Sequence, residues 1–321
     1  MVIQKINIDI LENSLRTRGN LLNILLFDHT TKKNIIWATN SYESALSSKL
    51  FSSSRQIKPE LVTGRIYGQL IQPRAAKSLS EQRKRTKDKA EVFTPLRIVD
   101  QMNKAIDWSS NYPPNQDNWQ DYVKQLRLEI ACGEAPFMVG RYNPDAHTGK
   151  LIQLYTKGGK PNRVGFLDRK LYIVSKYCRK HSEWVKWAKE AYKASYGYEW
   201  QGDNILIARE NLLYTFIDFY VDMFNRRPSL KLQEEIAEII SWNVFQMDGL
   251  KYVVAMSCKH INRTLPGELT LFGETPDIIE KDECEGCKLQ NPLKHNGKYV
   301  KIMDWEKNRP IKFVSLIHDG S

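Results

Sequence analysis

The sequence contains no uninterrupted run of about 18 apolar residues, which excludes a membrane-spanning helix. Its first residues, MVIQKINIDILENS, include acidic side chains and lack the apolar stretch of a secretory signal. Cysteine is scarce, with five in 321 residues, and an odd number does not close into a disulfide framework. Together these absences predict a cytoplasmic protein in a reducing compartment, whose cysteines are free thiols or metal ligands.

The balance of charge is strongly positive. Lys plus Arg number 48 against 37 Asp plus Glu, a formal net charge of +11. Such an excess favours a polyanionic partner, of which nucleic acid is the commonest, and a basic soluble protein without such a partner is the alternative. Hydrophobic residues make up 41% of the chain and charged residues 26%, a composition that can bury a core and that excludes a disordered chain.

Three stretches of the chain differ in character. Residues 1–72 contain short apolar runs around a polar Thr31-Lys32 pair that suits a hairpin, and they are predicted to form an N-terminal α+β extension. Residues 73–89 are predicted to be a basic linker or arm. Residues 90–321 alternate short strands with helices, which is typical of βαβ units and a mostly parallel sheet. The apolar positions that predict the first of these helices are Leu96, Val99, Met102 and Ile106.

The arm at 73–89 holds seven basic and two acidic residues. A net charge of +5 in 17 residues is more than a linker needs, so it predicts DNA phosphate contacts through Arg83, Lys84 and Arg85. A solvated linker or the exposed face of a helix is the alternative.

Three predicted strand ends carry residue types that a nucleotide-like cofactor needs in an α/β domain. Leu128–Gly133 runs from a strand through small residues into a glycine, which lets the backbone approach a ligand closely. Tyr196–Glu199 ends in an acid suited to ribose hydroxyls, and Phe245–Asp248 ends in an acid suited to an exocyclic amine. Each pattern taken alone is also typical of a tight turn or a solvated strand end.

Four motifs occur in order along the chain: AEVFTP, LEIACGEAPF, YGYEWQGDNILIARENLL and NVFQMDGL. In this order they resemble the S-adenosylmethionine-binding motifs of adenine-N6 DNA methyltransferases, above all the methyltransferases of type II restriction systems. The resemblance implies an α/β fold of the Rossmann-like class I methyltransferase type, with helices on both faces of the sheet. It also implies S-adenosyl-L-methionine as the cofactor and DNA as a partner.

The resemblance assigns residues to the parts of that cofactor. Glu199 is implied to bind the ribose, and Asp248 is implied to contact the adenine. The residues implied to lie against the methionine end are Phe93, Thr94, Pro95, Glu129, Ala131, Cys132, Gly133, Pro136 and Phe137.

The chain departs from the family pattern in two places. Glu129 and Glu199 are 70 residues apart, further than in the family, so residues 140–181 are predicted to be an insertion. The family's catalytic tetrapeptide, an Asn, Asp or Ser followed by two prolines and an aromatic residue, does not occur after Asp248. Asn111–Pro114 contains two prolines but precedes the cofactor loop, and it is predicted to be an ordinary turn.

The candidate for the missing catalytic element is a predicted strand that ends in Asp304 and Trp305. Asp304 would accept a hydrogen bond from the target amine, and Trp305 would stack on a flipped base. The alternative is that both residues only cap a strand in a domain without catalytic activity.

The expected function is S-adenosylmethionine-dependent methylation of adenine N6 in DNA, within a restriction–modification system of a bacterium or phage. The competing expectation is a non-catalytic methyltransferase-like subunit that binds cofactor or DNA. The short tail after Trp305 predicts that a second subunit supplies the remaining strands or a DNA-reading domain. A different methyl acceptor, RNA or protein, is a third reading.

Residues 258–298 are predicted to form a small zinc-binding insertion. Cys284 and Cys287 make a C-x-x-C pair, which is a common half of a tetrahedral zinc site. Reduced surface thiols are the alternative. The other predicted ligands are Cys258 and either His295 or His260.

Overall fold

The structure is a computed structural model that describes residues 18–89, 91–92, 94–109, 113–143, 150–265, 269–270, 273–274 and 278–317. The chain divides into two compact units, Met1–Gln246 and Met247–Ser321. The predicted boundaries at 72 and 89 therefore do not separate compact units, and a division after residue 246 was not foreseen. Within the described residues, no helix is long and apolar enough to cross a membrane.

The first unit contains most of the helices. They are α1 (Leu21–Leu26), α2 (Ser41–Leu46), α3 (Gly64–Tyr67), α4 (Leu79–Lys89), α5 (Leu96–Ser109), α6 (Trp119–Lys124), α7 (Phe166–Tyr177), α8 (His181–Lys193), α9 (Gly202–Phe224) and α10 (Leu230–Asn243). Its strands are β1 (Phe27–Asp28), β2 (Lys33–Asn34), β3 (Arg127–Glu129), β4 (Ser195–Glu199) and β5 (Val244–Gln246).

Three parallel strands form the central sheet of this unit, in the order β3-β4-β5. Leu128 pairs with Tyr196, and Glu199 pairs with Gln246. Because the strands are parallel, their carboxyl ends lie at one edge of the sheet, where ligands of α/β proteins usually bind. The predicted α/β class is confirmed by this sheet and the helices around it, while the wider Rossmann-like sheet stays a prediction.

The core lies around α9, which is buried along nearly its whole length. Two of its buried polar side chains, Asp203 and Arg209, are hydrogen-bonded to neighbouring groups, which allows them to lie in the interior. Trp184 of α8 has no solvent exposure and contacts Phe216, Tyr220 and Phe224 of α9. This aromatic packing fixes α8, which precedes β4 in the chain, against α9, which follows β4.

The segment 140–181, predicted to be an insertion, contains a loop and a helix of the core. Residues 150–162 form an irregular hairpin-like loop, held by a bridge between Tyr155 and Pro161. Residues 166–177 are α7, however, and its apolar side chains Leu167 and Leu171 are fully buried. The helix therefore belongs to the core, because its apolar face has to be covered by the rest of the unit.

The N-terminal segment is built into the first unit rather than appended to it. Strands β1 and β2 pair antiparallel, so the predicted hairpin at Thr31-Lys32 is present. The guanidinium of Arg209 is fully buried and donates to the carbonyls of Leu25 at 2.6 Å and Phe27 at 2.9 Å. The same group donates to Val244 at 2.8 Å. A buried guanidinium needs such acceptors, so the N-terminal residues, α9 and β5 are held together.

The described residues of the second unit form short hairpins, one α-helix and a short 3-10 helix at Phe313–Ile317. Its elements are β6 (Ile261–Leu265), β7 (Leu269–Thr270), β8 (Gly273–Glu274), β9 (Ile278–Asp282), α11 (Glu285–Leu289), β10 (Lys301–Asp304) and β11 (Arg309–Lys312). The pairs β6–β9, β7–β8 and β10–β11 are all antiparallel. Hairpins of this length bury little apolar surface, so additional constraints are needed to hold them.

Candidate functional site

Two of the predicted cofactor motifs meet at the carboxyl edge of the parallel sheet. Glu199, the last residue of β4, accepts a hydrogen bond from the backbone N–H of Gly133 at 2.9 Å. Its other carboxylate oxygen accepts from the N–H groups of Trp200 at 2.9 Å and Gln201 at 3.1 Å. The loop after β3 and the acid at the end of β4 are thus in direct contact.

Glu129 holds the loop after β3 through two backbone hydrogen bonds. Its two carboxylate oxygens accept from the N–H groups of Phe137 at 3.1 Å and Met138 at 2.9 Å. Burial raises the pKa of Glu129 to about 8, although the two N–H groups oppose the rise. Glu129 therefore fixes the path of the loop, and its contact with the methionine end of the cofactor stays a prediction.

The backbone of this loop takes an unusual path. Ala131, Gly133 and Ala135 have φ values of 47°, 52° and 64°, in the left-handed region. Such conformations cost about 1–3 kcal/mol each for a residue with a side chain, and they concentrate at functional sites. Ala131 is exposed at the mouth of the loop, while Pro136 and Phe137 are half-buried.

Small residues are required where the loop crosses β4. A Cβ on Gly197 would lie 2.3 Å from the Met138 side chain and 3.3 Å from the sulfur of Cys132. Burial raises the pKa of the Cys132 thiol well above its usual value. Cys132 is therefore a neutral thiol packed against the loop crossing.

The F-T-P element lies partly outside the described residues, because Phe93 is not among them. Thr94 is half-buried and Pro95 is exposed. The carbonyl of Pro95 accepts from the N–H groups of Ile98 at 2.8 Å and Val99 at 3.1 Å, so the element leads directly into α5.

A buried ion-pair network that sequence reasoning missed covers the same edge of the sheet. Arg85 donates to Glu91 at 2.6 Å and to Asp203 at 2.9 Å. All three side chains are buried, and Asp203 also accepts from the hydroxyl of Tyr42 at 2.7 Å. The prediction that Arg85 binds DNA is therefore wrong, because its guanidinium is already bound inside the protein. Arg83 and Lys84 of the same helix are exposed.

A second acid fastens the start of the arm. Glu134 accepts from the backbone N–H of Arg74 at 2.7 Å and from the hydroxyl of Tyr142 at 2.6 Å. Burial raises the pKa of Glu134, although nearby Lys77 opposes the rise. Burial alone would raise the pKa of Asp203 as well, but the charges of Arg85 and Lys77 outweigh it and lower that pKa. The residues after β3 and after β4 thus each hold one part of the arm against the sheet.

Asp248 opens the second unit and organises a tight turn there. One carboxylate oxygen accepts from the N–H groups of Leu250 at 3.0 Å and Lys251 at 3.2 Å. The other lies 3.8 Å from the ammonium of Lys251. The predicted D-G-L turn is therefore present, and its contact with adenine stays a prediction.

Asp304 ends β10, so the predicted strand is present, but the strand belongs to a hairpin with β11. Its carboxylate accepts from the N–H groups of Glu306 at 3.2 Å and Lys307 at 3.0 Å. These bonds, above all the one from Lys307, lower the pKa of Asp304. Trp305 begins the turn that joins the two strands. Asp304 thus caps this turn, which is the role that the alternative interpretation assigned to it.

The second unit also brings four metal-ligating side chains together: Cys258, Cys284, Cys287 and His295, whose ligand atoms all lie within 4.8 Å of one another. The three sulfur atoms lie 3.6, 3.5 and 3.7 Å from Nδ1 of His295. Around a tetrahedral zinc ion, sulfur and nitrogen ligands are separated by about 3.6 Å, given their bond lengths of about 2.3 and 2.0–2.1 Å. The cluster therefore fits a metal ion such as zinc, with His295 as the fourth ligand. His260, the other predicted candidate, is exposed and lies outside the cluster.

The glycine inside the C-E-G-C motif makes room for this cluster. A Cβ on Gly286 would lie 2.6 Å from the backbone nitrogen of His295 and 2.7 Å from its Nδ1. The N–H of Gly286 donates to the carbonyl of Lys294 at 3.0 Å, which fixes the two ligand segments side by side. Burial alone would raise the pKa of Cys284, but hydrogen bonds from the backbone of Asn296 and Cys287 lower it. Formation of the thiolate that a metal binds is favoured there.

No protein-family model, no curated protein and no solved structure matches the chain. The functional conclusions below therefore depend on the residues and geometry of this chain.

Proposed function

We propose that the protein is an S-adenosylmethionine-dependent methyltransferase that acts on adenine N6 in DNA. The observation that carries the proposal is the 2.9 Å hydrogen bond between Glu199 and the N–H of Gly133. It brings the acid at the end of one parallel strand next to the glycine loop after its neighbour, and α/β domains use a glycine loop and a strand-end acid at this edge to hold a nucleotide-like cofactor.

In this proposal the cofactor is held at the carboxyl edge of the sheet. Glu199 binds the ribose hydroxyls, and the exposed Ala131 and the half-buried Gly133 allow backbone contact with the methionine end. Thr94 and Pro95 lie against the same end. The cofactor supplies an electrophilic methyl group, and the protein contributes mainly by positioning the acceptor in line with it.

Charge supports DNA as the substrate. Residues 247–321 contain 11 basic and 11 acidic side chains, so the whole net charge of +11 belongs to residues 1–246. The exposed Arg83 and Lys84 of α4 are suited to phosphate contacts beside the arm.

The metal cluster is proposed to be structural. A site with four protein ligands has no open position for a substrate, and such zinc sites contribute folding energy to small domains. The role assigned to Cys258, Cys284, Cys287 and His295 is to hold the short hairpins of the second unit.

A non-catalytic subunit is the second candidate, and the turn-capping role of Asp304 favours it. In the enzyme reading Asp304 accepts from the target amine and Trp305 stacks on the base. In the subunit reading both residues stabilise the hairpin, and a partner chain supplies the catalytic element or the DNA-reading domain.

The test of cofactor binding is calorimetry with S-adenosylmethionine on the wild type and on Glu199→Gln, with Glu190→Gln as the control. Charge-assisted hydrogen bonds contribute about 1.5–3 kcal/mol, so Glu199→Gln should weaken binding at least about tenfold. Glu190, on the partly exposed face of α8, should be replaceable without effect. Equal affinities of the wild type and Glu199→Gln, with circular dichroism unchanged, would remove this site assignment.

A further inference from the structure

The end of α9 farthest from the cofactor motifs carries a group of exposed basic side chains. The helix begins at Gly202, directly after the Glu199 loop, and ends at Phe224. At 1.5 Å per residue, its two ends are about 33 Å apart. The far end of α9 is therefore separated from the carboxyl edge of the sheet by the length of the helix.

The loop at 150–162 brings two of these cations to the far end. Its tip, Lys157-Gly158-Gly159-Lys160, is fully exposed and is closed by a hydrogen bond from Thr156 N–H to Lys160 O at 2.9 Å. Tyr155 packs on Tyr172, with ring centroids 6.2 Å apart, and its hydroxyl bonds to Asp222 near the end of α9. Tyr155 thus anchors the exposed tip close to the end of α9.

The junction between α7 and α8 brings two more cations to the same place. His181 lies 2.8 Å from the hydroxyl of Tyr220, and its ring centroid lies 5.1 Å from that of Phe224. Arg179 and Lys180, which immediately precede it, are both exposed. Two further exposed cations, Arg226 and Arg227, directly follow α9.

These six side chains form what we call the far basic surface: Lys157, Lys160, Arg179, Lys180, Arg226 and Arg227. Among the described residues none of the six forms an ion pair within 4.0 Å. The nearby Asp218 is already paired with Arg141 and Arg163, at 3.0 and 2.7 Å. Asp222 is bonded to Tyr155, and Glu183 is the remaining exposed acid beside the junction. Few acidic side chains are therefore available to pair with these cations, and the positive charge of this surface is largely uncompensated.

We propose that the far basic surface binds the phosphate backbone of duplex DNA, as a contact region separate from the cofactor edge. Gly159 has no neighbouring heavy atom within 4 Å of its would-be Cβ, so a phosphate can approach the tip closely between its two lysines. Since base pairs are about 3.4 Å apart along the duplex axis, about 10 base pairs separate this contact from the target base. The inference takes its ligand, DNA, from the proposed function.

The experiment measures binding of the full chain to a 40-base-pair duplex by fluorescence anisotropy over a range of salt concentrations. The test variant carries Lys157→Gln, Lys160→Gln, Arg226→Gln and Arg227→Gln. The control variant loses the same charge at four exposed cations of the N-terminal segment, by Lys33→Gln, Lys49→Gln, Arg55→Gln and Arg65→Gln. Each phosphate contact contributes about 0.9 to the slope of log affinity against log salt, so the test variant should lose up to about 3.6 and the control should keep the wild-type slope.

A test variant with the wild-type slope would overturn the inference. If that variant also loses binding to vesicles of anionic phospholipid while the slope of log DNA affinity against log salt is unchanged, the surface is assigned to membranes instead. Failure of the proposed function gives a different pattern, in which calorimetry detects no S-adenosylmethionine binding while the DNA slope still falls in the test variant. If the chain does transfer methyl groups, the test variant should raise KM for long duplexes and leave kcat unchanged, since the far basic surface does not touch the reacting atoms.

Discussion

Arg85 and Asp203, 118 residues apart in the sequence, form a buried ion pair with a nitrogen–oxygen distance of 2.9 Å. The pair connects the basic arm to the first turn of α9, immediately after Glu199. Arg85 also binds Glu91, two residues before Phe93 of the F-T-P element. One guanidinium thus fixes both the arm and the approach to the predicted cofactor motif.

Loss of this guanidinium should destabilise the protein strongly. Arg85→Ala removes the guanidinium that binds the buried carboxylates of Glu91 and Asp203, and breaking a buried pair in this way costs about 3–5 kcal/mol. Arg83→Ala, on the exposed face of the same helix, should change the free energy of unfolding by less than about 0.5 kcal/mol. Urea denaturation of the two variants checks the prediction, and equal midpoints would contradict it.

The stability of the first unit should fall on acidification because of His29. This side chain stacks on Trp242 with ring centroids 3.8 Å apart and lies 2.8 Å from the hydroxyl of Ser241. Burial, followed by the charges of Arg209 and Lys32, lowers the pKa of His29 to about 3. In the unfolded chain the pKa of His29 is near 6.5. Between about pH 6.5 and 3, the unfolded chain therefore binds a proton at His29 that the folded chain does not bind.

This contribution to stability is complete above about pH 6.5 and is lost as the pH falls towards 3, by up to about 1.4 kcal/mol per pH unit. His29→Gln should remove that part of the slope, while His260→Gln, at an exposed position, should not alter it. Urea titrations at pH 7, 6 and 5 measure both slopes. If His29→Gln keeps the wild-type slope, the histidine is not the titrating group.

The metal cluster should depend on Gly286. Gly286→Ala places a methyl carbon within 2.7 Å of both the backbone nitrogen and Nδ1 of His295. We expect purified wild-type protein to contain about one equivalent of zinc and Gly286→Ala to lose it, because a displaced ligand breaks the tetrahedral set. Lys288→Ala, two residues away and exposed, is the control. Metal analysis of reduced, chelator-free protein would refute the assignment if the wild type contained no metal.

A side chain at position 197 should destabilise the crossing of β4 and the loop after β3. Gly197→Ala forces the Met138 side chain to move and presses on Cys132, and overpacking of this kind costs about 1–3 kcal/mol. Shortening the opposing side chain should recover part of the loss, so the double variant Gly197→Ala, Met138→Ala should show favourable coupling. Thermal unfolding of the two single variants and the double variant provides the cycle, and strict additivity would argue against the contact.

Methyl transfer by the isolated chain separates the enzyme from the subunit. In the enzyme reading, Asp304→Ala should abolish transfer of labelled methyl groups to duplex DNA and leave cofactor affinity intact, because the lost interaction is made with the target amine in the transition state. In the subunit reading, the isolated wild type should transfer nothing until a second polypeptide is added. Methyl transfer by the isolated Asp304→Ala variant would exclude both the catalytic role of Asp304 and the non-catalytic subunit.

The sequence predicted best where one residue's role follows from its neighbours in the chain. The acid at the end of β4, the small residues after β3 and the C-x-x-C pair were all found in this way. Spacing also predicted α5, but it misplaced the buried face, since Met102 and Ile106 are about half exposed. Asn103 and Asp107 are buried instead, because Asp107 pairs with Arg127 and Arg169.

Which face of α5 is buried thus depends on partners far away in the chain, which hydrophobic periodicity does not reveal. Arg85 shows the same limit, since its burial is decided by an aspartate 118 residues later. The N-terminal segment belongs to the first unit for a related reason: it is bound to α9 and β5 by polar contacts that leave no mark on local composition.

The four carbonyls around Arg209 also determine when the N-terminal segment can finish folding during synthesis. Leu25 and Phe27 leave the ribosome early, but Ser241 and Val244, which bind the same guanidinium, follow more than 200 residues later. At about 5–20 residues per second, this interval lasts roughly 10–40 s. For that time the apolar face of α1 lacks the helix it packs against, α10, and nascent chains caught in this interval are the form of the protein most in need of a chaperone.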